Sequence, residues 1–104
     1  MRYTIFFLFT ILLLSCDKSS LENYGALCNI YEEALQKEAD KDEKNLYIYD
    51  SIEKMLPAFF KEDYPQIINT DRDKKYSFTQ KIIYLKTNKE LNWECEAMKQ
   101  YYEG

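Results

Sequence analysis

LENYGALCNIYEEAL, residues 21–35, decides how the rest of the chain is read. Leu21, Tyr24, Leu27, Cys28, Tyr31 and Leu35 recur at steps of three and four, which gathers them on one side of a helix. Glu22, Glu32 and Glu33, with Lys37 and Lys41 beyond, fall mostly off that stripe. The pattern predicts an amphipathic helix of roughly five turns. Ser19 or Ser20 is placed to cap it, and Glu22 stands in its first turn, where a negative charge meets the positive helix pole. Only two glycines and two prolines occur in 104 residues, so little interrupts helix formation elsewhere. The expected class is all-α.

Moving toward the C-terminus, the charged segment Ala39 to Lys44 ends the stripe and reads as a turn. A second helix is expected from about Asn45, with Tyr49, Ile52, Met55, Leu56, Phe59 and Phe60 facing inward. Pro57 lies inside that run; it removes a backbone donor and clashes with the carbonyl of Glu53, so the helix should kink or break there. Tyr64-Pro65 marks another boundary, since the residue before proline avoids the α region, and Gln66 to Asn69 reads as a short helical turn. After the loop and cap residues Asn69-Thr70-Asp71, the residues Tyr76, Phe78, Ile82, Ile83 and Leu85 predict a third helix ending near Thr87-Asn88. Asn92 is the expected cap of a fourth, in which Cys95, Met98 and Tyr102 share a face. The architecture predicted is a bundle of three or four helices over residues 21–104.

Toward the N-terminus the chemistry changes. Tyr3 to Leu14 is a run of 12 uncharged residues preceded by Arg2 and followed at once by Asp17 and Lys18. As a helix it would extend about 18 Å, well short of the roughly 30 Å hydrocarbon core of a bilayer. That length and those flanks fit an export signal rather than a permanent span. The run closes on Leu13-Leu14-Ser15-Cys16, which resembles the lipobox of bacterial lipoproteins: an aliphatic residue three before the cysteine and a small residue just before it. The resemblance covers residues 1–16. It implies cleavage after residue 15, a diacylglyceryl thioether on Cys16, further acylation such as palmitate at the new amino terminus, and anchoring in the cell envelope by two or more chains. Residues 16–20 would be a lipid tether. Asp17 resembles the inner-membrane retention signal of enteric lipoproteins, which slightly favours that membrane, with the domain facing the periplasm.

The three cysteines, Cys16, Cys28 and Cys95, are consistent with that expectation. An odd count in an exported protein leaves one thiol to explain. With Cys16 carrying lipid, Cys28 and Cys95 remain to pair in an oxidising compartment, the alternative being two buried thiols. Pairing would close a loop of 67 residues and brace a domain whose size makes it marginal. The closing Trp93-Glu94-Cys95 also resembles the W-x-C-P ending of small exported helical bacterial proteins without an assigned activity, although Glu96 stands in place of the proline.

Composition excludes several functions. Cleavage would leave 89 residues carrying 13 of the 14 Lys and Arg, since Arg2 is removed, against 18 Asp and Glu. The mature net charge is then −5, which disfavours nucleic acid. There is no histidine, so the usual base for a serine or cysteine nucleophile is missing. Ser51-Ile52-Glu53-Lys54 matches a Ser-x-x-Lys spacing, but on a helix with no supporting context. Zinc would need the two cysteines claimed by the bridge. Asn69, Asp71 and Asp73, like Glu38, Asp40 and Asp42, alternate as calcium ligands do, yet lack the turn glycine and closing glutamate. Glu94 and Glu96 straddle Cys95 and are expected to point to water. No glycine-rich phosphate loop can be built from Gly25 and Gly104. No catalytic residue, metal or cofactor is therefore expected.

The nine mature tyrosines remain. Tyr47 and Tyr49 cannot both face inward with Ile48, and Tyr101 and Tyr102 must divide between faces, so some phenols should reach the surface. The functional expectation is a membrane-tethered, non-catalytic module whose acidic, Tyr-bearing surface meets another envelope protein. Two alternatives stand beside it: a carrier of a small apolar ligand in a cleft near Pro57 lined by Met55, Phe59 and Phe60, and an inhibitor or immunity-type lipoprotein.

Overall fold

The computed structural model describes residues 24–104. The expected signal segment, Cys16, the tether and the Ser19 or Ser20 cap lie outside the described residues. Within them the chain is all-helical, without a strand: α1 (24–36), α2 (Lys41–Met55), α3 (Pro57–Glu62), α4 (Tyr64–Ile68), a 3₁₀ turn (Arg72–Lys74), α5 (Lys75–Lys86) and α6 (Glu96–Glu103). No helix among these residues is long and apolar enough to cross a membrane. The expected second helix is divided into α2 and α3, and the short turn expected after Tyr64-Pro65 is α4, which makes six α-helices among the described residues.

On α1 the core face holds Leu27, Ile30, Tyr31 and Ala34, with Tyr24, Cys28 and Leu35 half-buried at its edges. The stripe is therefore wider than the leucine and tyrosine spacing indicates. α2 starts four residues before the expected Asn45. Asp40 caps it, its Oδ1 accepting the Glu43 N–H at 2.8 Å, and Asp42 and Glu43 occupy the first turn, where the helix dipole favours them. The charged segment expected as a turn is thus largely the polar start of a helix. Ile48 and Ile52 form the buried line of α2. Tyr49 follows Ile48 by one residue, about 100° round the helix, and is 42% exposed rather than inward. Met55 lies close to the Ile48–Ile52 line in angle but is the last residue of α2 and is 57% exposed.

Pro57 breaks the helix rather than kinking it. Leu56 leaves the α region (φ −133°, ψ 62°), and the proline becomes the first residue of α3, where its missing N–H costs nothing. Leu56 and Phe59 are buried there as expected, while Phe60 is half-buried. Pro65 stands at the second position of α4, after a helical Tyr64 and an Asp63 that stays in the α region, and α3 and α4 pack against each other as short consecutive helices. Beyond them the Lys75 ammonium donates to the carbonyls of Ile67, Ile68 and Thr70, closing the C-terminal end of α4.

α5 buries Tyr76, Thr79 and Ile83 and ends at Thr87, followed by Asn88 and Lys89 at positive φ. The Thr79 hydroxyl donates to the Lys75 carbonyl at 2.8 Å, so its burial leaves no polar group unpaired. Leu85, expected inward, is 53% exposed: it lies two residues, about 200°, beyond Ile83.

Residues 90–95 form a non-helical strap. The Trp93 indole donates to the Tyr24 carbonyl (3.0 Å), Gln80 donates to the Trp93 carbonyl (2.9 Å), and the Cys95 N–H donates to the Tyr76 hydroxyl (2.8 Å). These tethers hold the chain extended past Asn92, so α6 is capped by Cys95 and not by Asn92. Cys95 is joined to Cys28 across a Cα–Cα distance of 5.5 Å, tying the start of α6 to α1. Ala97, Met98 and Tyr101 face the core, and Tyr102 is half-buried beside them.

Candidate functional site: two concavities at opposite ends of the first helix

One concavity lies at the α2–α3 break, near the location expected for an apolar ligand. It encloses about 440 Å³ and is lined by Tyr24 at the start of the described part of α1, by Met55 to Phe59, and by Glu62, Asp63 and Lys86. Met55, Leu56, Pro57 and Phe59 supply an apolar wall. Phe60, expected in the lining, instead packs edge-on to Tyr49 (4.9 Å between centroids) and stacks on Tyr64 (5.9 Å). The opposite wall is charged: the Lys86 ammonium lies 3.0 Å from Glu62 and 3.2 Å from the buried Asp63 carboxylate. The hydrogen bond to Glu62, followed by that to Asp63, outweighs desolvation and holds Lys86 above the usual lysine range. Burial, then the Asp63 charge, pushes the Tyr24 phenol up as well.

The second concavity was not visible in the sequence. Between α2, α4 and the 3₁₀ turn lies a groove of about 380 Å³, walled by Ile48, Tyr49, Tyr64, Ile68 and Tyr102 and edged by Lys41, Arg72 and Lys75. An adjoining hollow of about 310 Å³ shares Lys41 and Arg72 and adds Leu35, Lys44 and Tyr101 among its lining. No Asp or Glu lines either one.

Behind the groove is a cluster of tyrosines. Tyr31 meets Tyr101 and Tyr102 edge-on at 5.7 and 5.5 Å, Tyr101 meets Tyr102 at 5.1 Å, and Tyr49 lies 6.2 Å from Tyr64. The hydroxyls of Tyr31 and Tyr102 are 2.7 Å apart, and the Tyr101 hydroxyl donates to Asn45. Desolvation is the leading cause that raises four of these phenols: Tyr31 well above the ordinary range, Tyr64 also far upward, Tyr101 upward, and Tyr102 to about 12. The phenols are therefore neutral at any physiological pH.

The cations divide by task. Lys75 is committed to three carbonyls, and its desolvated ammonium is lowered from the usual range. Arg72 uses one guanidinium nitrogen on the Tyr101 carbonyl at 2.9 Å, which fixes its position and leaves other donors unused. Lys41 and Lys44 have no ion-pair partner among the described residues.

Other residues singled out in the sequence find ordinary places. Ser51 is half-buried and Lys54 exposed near the end of α2, and Glu94 and Glu96 are exposed on either side of Cys95. Asp40 is spent on a helix cap, and the described residues contain no group of three His, Cys, Asp or Glu side chains that could hold a metal. Of the nine tyrosines, Tyr31, Tyr64, Tyr76 and Tyr101 are buried and only Tyr49 is exposed. In the groove, the charged side chains beside the tyrosines are lysine and arginine, while Tyr47 elsewhere on the surface donates to Glu33.

No family model, curated protein or solved structure matches this chain.

Proposed function

We propose that this protein is a lipoprotein, anchored through Cys16 in a bacterial envelope membrane, whose disulfide-braced domain is a non-catalytic binding module for another envelope protein. The observation that carries the binding reading is the tyrosine-walled, cation-edged groove. Tyrosine gives large contact area at low entropy cost, and the cations supply direction. Tyr24 and Leu35 lie at opposite ends of α1, about 16 Å apart at 1.5 Å per residue. The groove's adjoining hollow reaches Leu35, the described α1 end farther in sequence from Cys16. Tyr24 is eight positions after Cys16, a reach of no more than about 29 Å. The lipid reading rests on Leu13-Leu14-Ser15-Cys16, and Asp17 favours the inner membrane with the domain in the periplasm. An inhibitor or immunity role is one form of this same binding reading.

The test is crosslinking on intact cells followed by capture from the membrane fraction. A partner enriched over a Cys16→Ala control supports the proposal, and capture of nothing above that control overturns it. The second reading, a carrier of a small apolar ligand, is favoured by the 440 Å³ cleft at Pro57. Native mass spectrometry of protein purified from its host should then show a bound mass, and a clean unliganded spectrum removes that reading.

A further inference from the structure

We infer that the groove between α2, α4 and the 3₁₀ turn receives an acidic, extended segment of the partner protein, with apolar side chains set against Tyr49 and Tyr64 and carboxylates facing Lys41, Lys44 and Arg72. This deepens the binding reading above and rests on it.

Charge complementarity is the first argument. The chain carries 18 Asp and Glu against 14 Lys and Arg, yet the groove and its adjoining hollow are lined by four different cations and by no carboxylate side chain. Random placement of charges on an acidic protein would mix the signs along such a lining. Asp42 and Glu43 stand close in sequence, but they fall about 100° and 200° round α2 from Lys41, on its outer faces.

The second argument is the position of the two lysines. Lys41 is the first residue of α2 and Lys44 lies one turn on, at the positive pole of the helix dipole. A cation is disfavoured there, and neither lysine recovers that loss through an ion pair within the described residues. Arg72 is held in place by the Tyr101 carbonyl, and its planar fork suits a carboxylate. Lys41 and Arg72 on the edge of the aromatic trough, with Lys44 beside them in the adjoining hollow, form a site for carboxylates beside apolar groups.

The third argument concerns the source of those carboxylates. Anionic lipid headgroups carry the same sign, but the hollow that continues the groove is lined by Leu35, about 16 Å along α1 from Tyr24, the described residue nearest to Cys16 in sequence. A peptide segment from a facing protein meets that geometry.

The experiment uses the full chain in detergent micelles and fluorescence anisotropy. The probes are synthetic peptides alternating Glu with Leu and Tyr, the same peptides with Lys for Glu, and phosphatidylglycerol vesicles as a separate arm. Glu peptides should bind and Lys peptides should not, with affinity falling as salt rises. Lys41→Glu/Lys44→Glu should weaken Glu-peptide binding by about tenfold or more, since it sets like charges against each other. That variant should fold, because acidic residues suit the first turns of a helix. Tyr49→Ala, at an exposed position, should weaken binding too. Lys61→Glu/Lys81→Glu, which makes the same change in net charge at exposed sites outside the groove, should leave it unchanged.

Equal binding of Glu and Lys peptides, equal loss in both double variants, or binding of vesicles but not of Glu peptides overturns the inference. A captured partner indifferent to Lys41→Glu/Lys44→Glu sinks the groove assignment and leaves the binding reading standing. Peptide binding without any captured partner does the reverse.

Discussion

The double substitution Cys28→Ala/Cys95→Ala frees a loop of 67 residues. On the chain-entropy account, closing a loop of that length removes enough freedom from the unfolded chain to stabilise the fold by about 4 kcal/mol. A second, smaller effect is local. The Cys95 sulfur accepts the Met98 N–H at 3.4 Å where α6 begins, and losing that cap costs on the order of 0.5–1 kcal/mol. Reducing the wild-type protein separates the two, because reduction opens the loop and leaves the sulfur in place. With a urea slope of about 1 kcal/mol per molar for a domain of this size, the unfolding midpoint should fall by roughly 4 M on reduction and slightly more in the double variant. Natural domains hold only about 5–15 kcal/mol in total, so either form should be close to its folding limit. The assay is urea unfolding followed by far-ultraviolet circular dichroism on the oxidised, reduced and substituted proteins. Midpoints agreeing within about 0.5 M would refute the loop-closure reasoning, because that gap corresponds to only about an eighth of the expected effect.

Asp40→Ala should destabilise the protein by about 1 kcal/mol through loss of the hydrogen bond to the Glu43 N–H, with Asp40→Asn close to neutral; thermal melts compare the three. For Tyr102, burial raises the phenol from its ordinary 10.0 to about 12, so the unfolded chain ionises first. Its contribution is complete below pH 10 and is lost as pH rises toward 12, on the order of 2–3 kcal/mol across that window. Urea midpoints measured against pH should fall steeply there, and Tyr102→Phe should make the fall shallower.

The elements that could be read from the sequence are those set by local chemistry. The residues of α1 announce themselves through one apolar stripe. Leu56-Pro57 marks a real boundary because proline restricts its neighbour, whereas Tyr64, before Pro65, is itself helical, so the boundary falls one residue earlier, at Asp63. Thr87 ends α5 as expected. The early start of α2 was also present, in Asp40 followed three residues later by Glu43, a capping pattern hidden in a segment that reads as solvated charge. Met55 and Leu85 show the limit of periodicity: it ranks residues around a helix but does not say which sides have neighbours. Asn92 failed as a cap because Tyr24, Gln80 and Tyr76 hold the strap extended, and those partners lie 13 to 69 residues from the strap residues they bond.

The groove had no sequence signal at all. Its hollows draw on Leu35, Lys41, Tyr64, Arg72 and Tyr102, each from a different part of the chain, and no spacing rule connects them. What did show early was the material. Nine tyrosines in a small mature chain had to place some phenols at the surface, and five of them, Tyr31, Tyr49, Tyr64, Tyr101 and Tyr102, gather in and behind one cation-edged trough.

Everything proposed here starts from the fate of three sulfur atoms. Intact-mass analysis of the protein from its native membrane fraction reads all three together. The account predicts a chain beginning at Cys16, heavier by a diacylglyceryl group and any amino-terminal acyl chain, and lighter by the hydrogens lost in joining Cys28 to Cys95. A full-length, unacylated species with free thiols at both positions would contradict it.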